Sequence, residues 1–258
     1  MRAPRIYTPE YYQRIHELEE QKYWWSCGMM EIAESILDKY IGKASDNLIL
    51  DAGCGTGLFM DSLRRYSRKE VIGVDISPEA LALCRRRPHS TVQASVTNLP
   101  FSNTSFDLIT CNDVLHHVYS KTSEVLKEFY RTLKPAGFLY LRCNAKQRFG
   151  LNDYPGRDFH RYALKEVVAK VIEAGFEVRL ATYVNSLPSM ITDLKNLLQP
   201  ATAGTHGNGD YRGLSMVMPA PLINSLLFRF LKIEAYCIRR SWTIPIGHSI
   251  IALFQKPD

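Results

Sequence analysis

The sequence predicts an α/β protein: a doubly wound, mostly parallel sheet with helices on both faces. Three observations predict it. Short continuous apolar runs recur at Leu48-Ile49-Leu50, Val71-Ile72-Gly73-Val74, Leu108-Ile109-Thr110-Cys111 and Phe138-Leu139-Tyr140-Leu141. Such runs fit strands buried on both faces, as a parallel sheet requires. Helical patterns lie between them: Ser77-Pro78-Glu79 opens one, and Val125, Leu126, Phe129 and Leu133 mark the buried face of another. The first run ends in Asp51 and a glycine cluster that opens a helix, the strand-turn-helix of a ligand-binding sheet edge.

Each element follows in order. Thr8-Pro9-Glu10 combines a capping hydroxyl, a first-turn proline and an acid, so a helix of about 14 residues is expected there. Tyr23, Trp24 and Trp25 fall at its end. A second helix spans roughly Met29 to Ile41, with Ile32, Ile36 and Tyr40 at four-residue spacing. Past the four runs, a helix is expected from Tyr162 to about Ala174, stopped by Gly175. Strands are expected over Phe176 to Tyr183 and Ser249 to Phe254. The roughly 65 residues between these strands exceed a usual connection. They hold an apolar segment (Leu187 to Leu198), a glycine-rich loop (Gly204 to Gly213) and an amphipathic helix (Leu222 to Ile238). On that helix Leu222, Leu226, Phe230 and Ile223, Leu227, Leu231 share a face, with Arg229, Lys232, Arg239 and Arg240 nearby. A core face is the first reading; a cavity wall or peripheral membrane contact is the second. No repeat or linker divides the chain. It reads as one domain, 1–258: an N-terminal helical cap (1–44), a ligand-binding core (45–183), a helical insert on the acceptor side (184–247) and the last strand (248–258).

The 258 residues are 46% hydrophobic and 22% charged, ordinary for a globular core, and the net charge of +6 is mild. Basic clusters at Arg64-Arg65, Arg85-Arg86-Arg87 and Arg239-Arg240 close expected helices. They read first as helix C-terminal charge and solvated surface, then as a nucleic-acid or anionic-lipid patch. The cysteines, at 27, 54, 84, 111, 143 and 237, form no CxxC pair, so knuckle-type metal sites are not expected. The first residues lack an apolar h-region, and the longest apolar stretch, Leu222 to Ile238, is interrupted by Asn224, Arg229, Lys232 and Glu234. A cytoplasmic protein is therefore expected.

The chemistry starts at Asp51-Ala52-Gly53-Cys54-Gly55-Thr56-Gly57. Glycines let the chain turn sharply and approach a ligand, and the following helix start offers free N–H groups. Asp75 ends the second strand, 18 residues after Gly57, where a carboxylate accepts from both hydroxyls of a ribose. NAD folds share this logic, but the third glycine stands at 57 rather than 58, which departs from G-x-G-x-x-G.

Further along stand Leu99-Pro100-Phe101, Ser105-Phe106-Asp107-Leu108-Ile109, Asp113-Val114-Leu115-His116-His117 and Leu133-Lys134-Pro135-Ala136-Gly137. With the glycine turn, this series resembles the class I S-adenosylmethionine (SAM)-dependent methyltransferases, most closely the broad type 11 small-molecule group, over about residues 45 to 182. Tyr23-Trp24-Trp25 and Pro245-Ile246-Gly247-His248-Ser249 resemble one bacterial branch of it. The resemblance implies a seven-stranded sheet of order 3-2-1-4-5-7-6 with the last strand antiparallel. It implies SAM as methyl donor, no metal, a small-molecule acceptor and no nucleic acid. It implies that Asp51 holds the SAM ammonium, that Gly53, Gly55 and Gly57 pass beneath the methionine part and ribose, and that Asp75 binds the ribose. Ile76 would lie on the adenine, and Asn112 would approach the transferred methyl. Ser95 stands where the family carries an aspartate toward the adenine amino group, with Val96 beside it; a serine still accepts one hydrogen bond.

Methyl transfer needs alignment and water exclusion, and a base only when the acceptor must lose a proton. His117 is the candidate base, with a capping or local bonding role for the two histidines as the alternative. His160, in His160-Arg161-Tyr162, has a family counterpart facing the acceptor cavity; helix-start packing is the alternative. Trp24 and Trp25 are either a lid over the sulfonium or anchors for the N-terminal helices. A non-catalytic SAM-binding protein and an NAD-dependent oxidoreductase are the competing functions.

Overall fold

The first strand, β1 (Ile49–Ala52), lies near the middle of a seven-stranded sheet with β2 (Val71–Asp75), β3 (Ser90–Gln93), β4 (Phe106–Asn112), β5 (Leu133–Asn144), β6 (Glu177–Val184) and β7 (Ser249–Gln255). The computed structural model describes residues 8–43, 46–147, 159–198 and 217–258. The strand order is β3-β2-β1-β4-β5-β7-β6. β7 runs antiparallel to β5 and β6, and the other pairs are parallel. The order reverses between β1 and β4, so the connections leaving their carboxyl ends diverge and open a crevice there.

The sheet is buried on both sides because its apolar runs feed two cores. Alternate side chains of a strand point to opposite faces. Tyr140 therefore joins Ile32 and Ile36 of α2 (Trp24–Tyr40), Leu63 of α3 (Leu58–Leu63) and Leu231 of α8 (Pro221–Arg239) on one face. Leu139 and Leu141 join Phe129 of α5 (Thr122–Thr132) and Val171 of α6 (Leu164–Glu173) on the other. Two more helices, α1 (Pro9–Glu20) and α4 (Pro78–Cys84), begin as their sequences predict. Thr8 Oγ1 accepts from Tyr11 N at 3.3 Å, and Ser77 Oγ accepts from Ala80 N at 3.1 Å.

The N-terminal helices divide differently from the expectation. α1 stops at Glu20 because Lys22 takes a left-handed φ of 56° and Tyr23 N closes back on Leu18 O at 3.0 Å, a C-terminal closure of the Schellman kind. Trp24 and Trp25 therefore open α2 rather than end α1. Their cap comes from far away in sequence: Asn224 Oδ1 of α8 accepts from Trp24 N at 2.9 Å.

The insert carries α7 (Ser186–Leu198) and α8; the Gly204 to Gly213 loop lies outside the described residues. The expected face of α8 divides: Leu231 is buried and Leu227 and Phe230 pack partly on the core, whereas its N-terminal members do not. Leu222, Ile223 and Leu226 are 72%, 51% and 54% exposed, and the buried positions are Leu231, Glu234, Ala235 and Ile238. α8 carries apolar residues on two opposite sides, and docking on α2 selects one of them. Contact is close because Gly28 has no side chain: a Cβ there would stand 2.2 Å from Leu231 Cδ1 and 2.7 Å from Leu231 Cβ. Glu234 is buried on this face because it caps α7, accepting from Asn185 N, Ser186 N and Ser186 Oγ at 2.7, 2.8 and 2.6 Å. A carboxylate at a helix N-terminus satisfies free donors and the positive dipole end. Among the described residues no helix is long and apolar enough to cross a membrane.

Gly28→Ala tests the docking. In a solvated helix this change stabilises by up to about 1 kcal/mol; here the overpacking against Leu231 is expected to cost about 1–3 kcal/mol. Leu226→Ser, on the exposed side, is expected to stay within about 0.5 kcal/mol of the parent. Urea unfolding of both variants checks the pair, and a stabilised Gly28→Ala would contradict the close approach.

Candidate active site at the carboxyl edge of the sheet

The chain leaves β1 at Ala52 and turns through Gly53, Cys54, Gly55, Thr56 and Gly57 into α3. Gly53 and Gly55 both take left-handed φ, 86° and 54°, which costs glycine little and other residues more. Their surroundings differ. A Cβ on Gly53 would stand 2.1 Å from Val114 Cγ2, so this glycine serves packing. A Cβ on Gly55 would meet nothing within 4 Å. Gly55 is thus bare backbone facing open space, a cradle that a side chain would fill. Gly57 packs on Cys84, whose Sγ would lie 2.5 Å from an added Cβ.

The turn is tied to the second strand by a carboxylate. Asp75 Oδ2 accepts from Gly55 N and Oδ1 from Ser77 N, each at 2.9 Å. Burial raises the Asp75 pKa, and these backbone donors oppose the rise. Each oxygen keeps acceptor capacity, so the carboxylate can still accept from a diol. Ile76 follows it, half-buried, with its carbonyl accepting from Gln93 Nε2 at 3.3 Å.

Asp51 lies on β1 beneath the turn, 1% exposed. Its Oδ1 accepts from Thr110 Oγ1 at 2.7 Å. Burial pushes its pKa up to about 7, against the Thr110 hydrogen bond and the Arg142 charge. A cationic ligand would favour its ionised form. Asn112, at the end of β4, leans on the Asp51 carboxylate as a hydrogen-bonding neighbour, and its buried amide completes no bond elsewhere. A buried amide in that state is a site for a ligand's polar groups. Next to it, Asp113 adopts a left-handed φ of 58° and takes both Arg142 Nε and Nη2 on one oxygen, at 3.0 and 2.7 Å. Trp25 covers that guanidinium, with Cζ 4.8 Å from the ring centroid.

α1 crosses this edge as a cover. Glu19 Oε2 accepts from Thr56 Oγ1 of the glycine turn at 2.6 Å, and burial pushes the Glu19 pKa up to about 7. Tyr12 sits beside Asp75 and Ser77, and Tyr11 beside Asp113.

Two predicted adenine contacts are placed otherwise. The Ser95 hydroxyl bonds Thr97 Oγ1 at 2.8 Å and accepts from Thr97 N at 3.3 Å, so it stabilises its own turn. The Val96 side chain is 7% exposed and packs into the core beside Leu99 and Phe106. A short polar side chain at a turn bonds the backbone near it.

The histidines separate into distinct roles. His116 is 2% exposed, 3.2 Å from Asn144 Nδ2 through Nε2, and burial with the nearby Arg161 and Arg142 charges pushes its pKa down to about 3. It is a neutral, structural imidazole. His117 is half-buried against His116 and Phe159, with ring centroids at 4.1 and 5.3 Å. His160 instead stacks on Tyr119 at 4.0 Å and meets Glu166 Oε2 at 3.1 Å. Side chains alternate along the short extended segment at 159–162. His160 and Tyr162 share the Tyr119 side, and Phe159 and Arg161 face His116. His160 thus lies on the Tyr119–Glu166 side, the helix-start alternative, and Arg161 on the His116 side. Sequence reasoning also missed the Glu19–Thr56 bond, Asp113, and the Val114 contact that shapes the turn. Asp113, Val114 and Thr56 all stood inside quoted motifs, but their contacts depend on which distant segments meet.

Known proteins similar to this chain are methyltransferases by description. Residues 50–141 match the family model described as a methyltransferase domain. A methyltransferase-like protein of Schizosaccharomyces pombe is 34% identical over 117 residues, 45% of this chain and 44% of that protein. A probable SAM-dependent methyltransferase of Mycobacterium tuberculosis is 27% identical over 183 residues, 67% of this chain and 63% of that protein. The chain therefore spans less than two thirds of these relatives. The crystal structure of a putative sarcosine dimethylglycine methyltransferase from Galdieria sulphuraria superimposes with a TM-score of 0.56 at 16% identity, covering 90% of this chain and 85% of that one. That likeness shows the fold.

The raised Asp51 pKa gives a signed expectation. Its stabilising contribution to the ligand-free protein is complete below the unfolded carboxyl value and is lost as pH rises through about 7. A bound ammonium reverses the preference. The affinity for S-adenosylhomocysteine (SAH) is therefore expected to rise by up to about tenfold per pH unit from pH 5 to 7 and then level off. Isothermal titration across that range checks it, with Asp51→Asn giving a weak and flat profile. A wild-type profile that falls with pH would contradict the assignment.

Proposed function

We propose that this chain carries a class I SAM-dependent methyltransferase domain and that it moves the methyl group of SAM to an O, N or C atom of a small-molecule acceptor, releasing SAH. One observation carries the reading: Gly55 presents bare backbone to open space while its N–H is held by the Asp75 carboxylate, whose charge also reaches the buried Asp51. One anion for an ammonium and a second for a diol, beside bare backbone, suit an amino-acid nucleoside. SAM would supply an electrophilic methyl on a sulfonium. The remaining work falls to the chain's own groups.

Asp51 would hold the ammonium, and the open amide of Asn112 would orient the methionine part. Asp75, already held by Gly55 N and Ser77 N, would take the ribose hydroxyls without reorganising. Ile76 offers an apolar side chain next to the ribose carboxylate for the adenine. α1, through Tyr11, Tyr12 and Glu19, and the Trp25 ring over Arg142 close the edge against water. Exclusion of water strengthens each polar contact inside. His117 is the histidine of the pair positioned for proton acceptance, because His116 is fully buried and held at Asn144. It has a task only with an acceptor that loses a proton.

The donor site is tested with SAH and the acceptor chemistry with methyl-labelled SAM and metabolite extracts. Asp75→Ala removes charge-assisted hydrogen bonds of about 1.5–3 kcal/mol, so SAH affinity is expected to fall roughly 10- to 100-fold. Tight NADH binding without SAH binding would defeat the reading. For an acceptor that gives up a proton, His117→Ala is expected to lower kcat by about 10²–10⁴-fold; unchanged turnover would remove His117 from the chemistry.

A further inference from the structure

Arg161 is the one strongly buried cation at the carboxyl edge that has no anion beside it among the described residues. The residue is 8% exposed. Its Nε is buried without a hydrogen-bond acceptor, and its guanidinium lies over Phe159 with Cζ 5.8 Å from the ring centroid. The contrast with Arg142 is direct, because Arg142 at the same edge is satisfied by Asp113. The position of Arg161 is built. Tyr162 N donates to Asn144 O at 3.0 Å, Lys146 N donates to Tyr162 O at 2.7 Å, and His160 N donates to His116 O at 2.9 Å. These bonds seat the segment just past the ends of β4 and β5, on the edge where Asn112 ends its strand. The extended backbone then turns Arg161 toward His116, away from Glu166, which His160 occupies.

A buried guanidinium without a counter-ion is costly, and its planar fork matches an oxyanion in bidentate geometry. Proteins tolerate such a group where a ligand completes it. Resting on the methyltransferase reading, we propose that the acceptor carries an oxyanion, a carboxylate or a phosphate, and that Arg161 binds it beside His116, His117 and Phe159. Arg161 then fixes which acceptor atom faces the donor methyl. It is a positioning residue, and its removal leaves no native partner unpaired.

The test is thermal unfolding of the full chain, with and without SAH, in benzoate, phenyl phosphate or neutral benzamide at matched ionic strength. Benzoate or phenyl phosphate is expected to raise the wild-type midpoint saturably, by about 3 °C at tenfold excess over its Kd. Benzamide is expected to leave it unchanged. Arg161→Met is expected to lose the anion shift while keeping the wild-type midpoint in buffer and the wild-type affinity for SAH, and Arg161→Lys to retain part of the shift. Which anion acts separates a carboxylate acceptor from a phosphate one. No anion-specific shift in the wild type, or an equal shift in Arg161→Met, overturns the proposal. An Arg161→Met protein that melts several degrees lower overturns it too, since the guanidinium would then be structural. SAH titration reports separately: its failure with the anion shift intact counts against the methyl-transfer reading and not against the oxyanion site.

Discussion

The bond between the Asp75 carboxylate and Gly55 N joins the tip of the second strand to the turn that leaves the first. Everything at the edge is referred to that joint. The turn keeps a left-handed backbone that is free of side-chain contact only at Gly55, because Gly53 is wedged on Val114 and Gly57 on Cys84. With both ends packed and the middle tied to Asp75, the side-chain-free backbone at Gly55 and the two acids hold a fixed geometry before any ligand arrives. Such preorganisation spares a site the reorganisation that binding would otherwise demand.

The cover over this joint is wired through α8. Asn224 supplies the cap of α2, Glu234 supplies the cap of α7, and Leu231 fits against Gly28. One helix of the insert thereby sets the start of the helix that carries Trp25 and the start of the helix that opens the insert. The insert and the N-terminal helices consequently pack as parts of one cover, although about 200 residues separate them in the chain. The Glu19 bond to Thr56 adds a contact from α1 directly to the glycine turn.

Electrostatics divides the edge into an acidic and a basic side. On the acidic side, buried acids sit without full cationic partners, and burial raises both Asp51 and Asp75. On the basic side stand two guanidinium groups, one paired with Asp113 and one with its Nε unpartnered. Their field and burial hold His116 neutral. Opposite unsatisfied charges on the two sides fit the proposed pairing of a cationic donor with an anionic acceptor.

Composition and order of residues determined the sheet, because both-face burial of a parallel strand leaves a continuous apolar run that no other element shares. They determined the glycine turn, Asp51 and Asp75 for a similar reason: left-handed backbone and strand-tip acids are local demands with local residue signatures. Tertiary structure decided what local pattern leaves degenerate. Ser95 has the same chemistry whether it faces a ligand or its own turn, and only the turn's geometry chose the latter. α8 offers two apolar sides, and the absent side chain at Gly28 selected which one docks. His160 and Arg161 are neighbours, and a single extended segment assigned them to opposite faces. For α8 and for the His160–Arg161 pair the deciding contacts come from segments far away in sequence, where periodicity and propensity carry no information; Ser95 is decided within its own turn, by a backbone geometry that its residue type does not reveal.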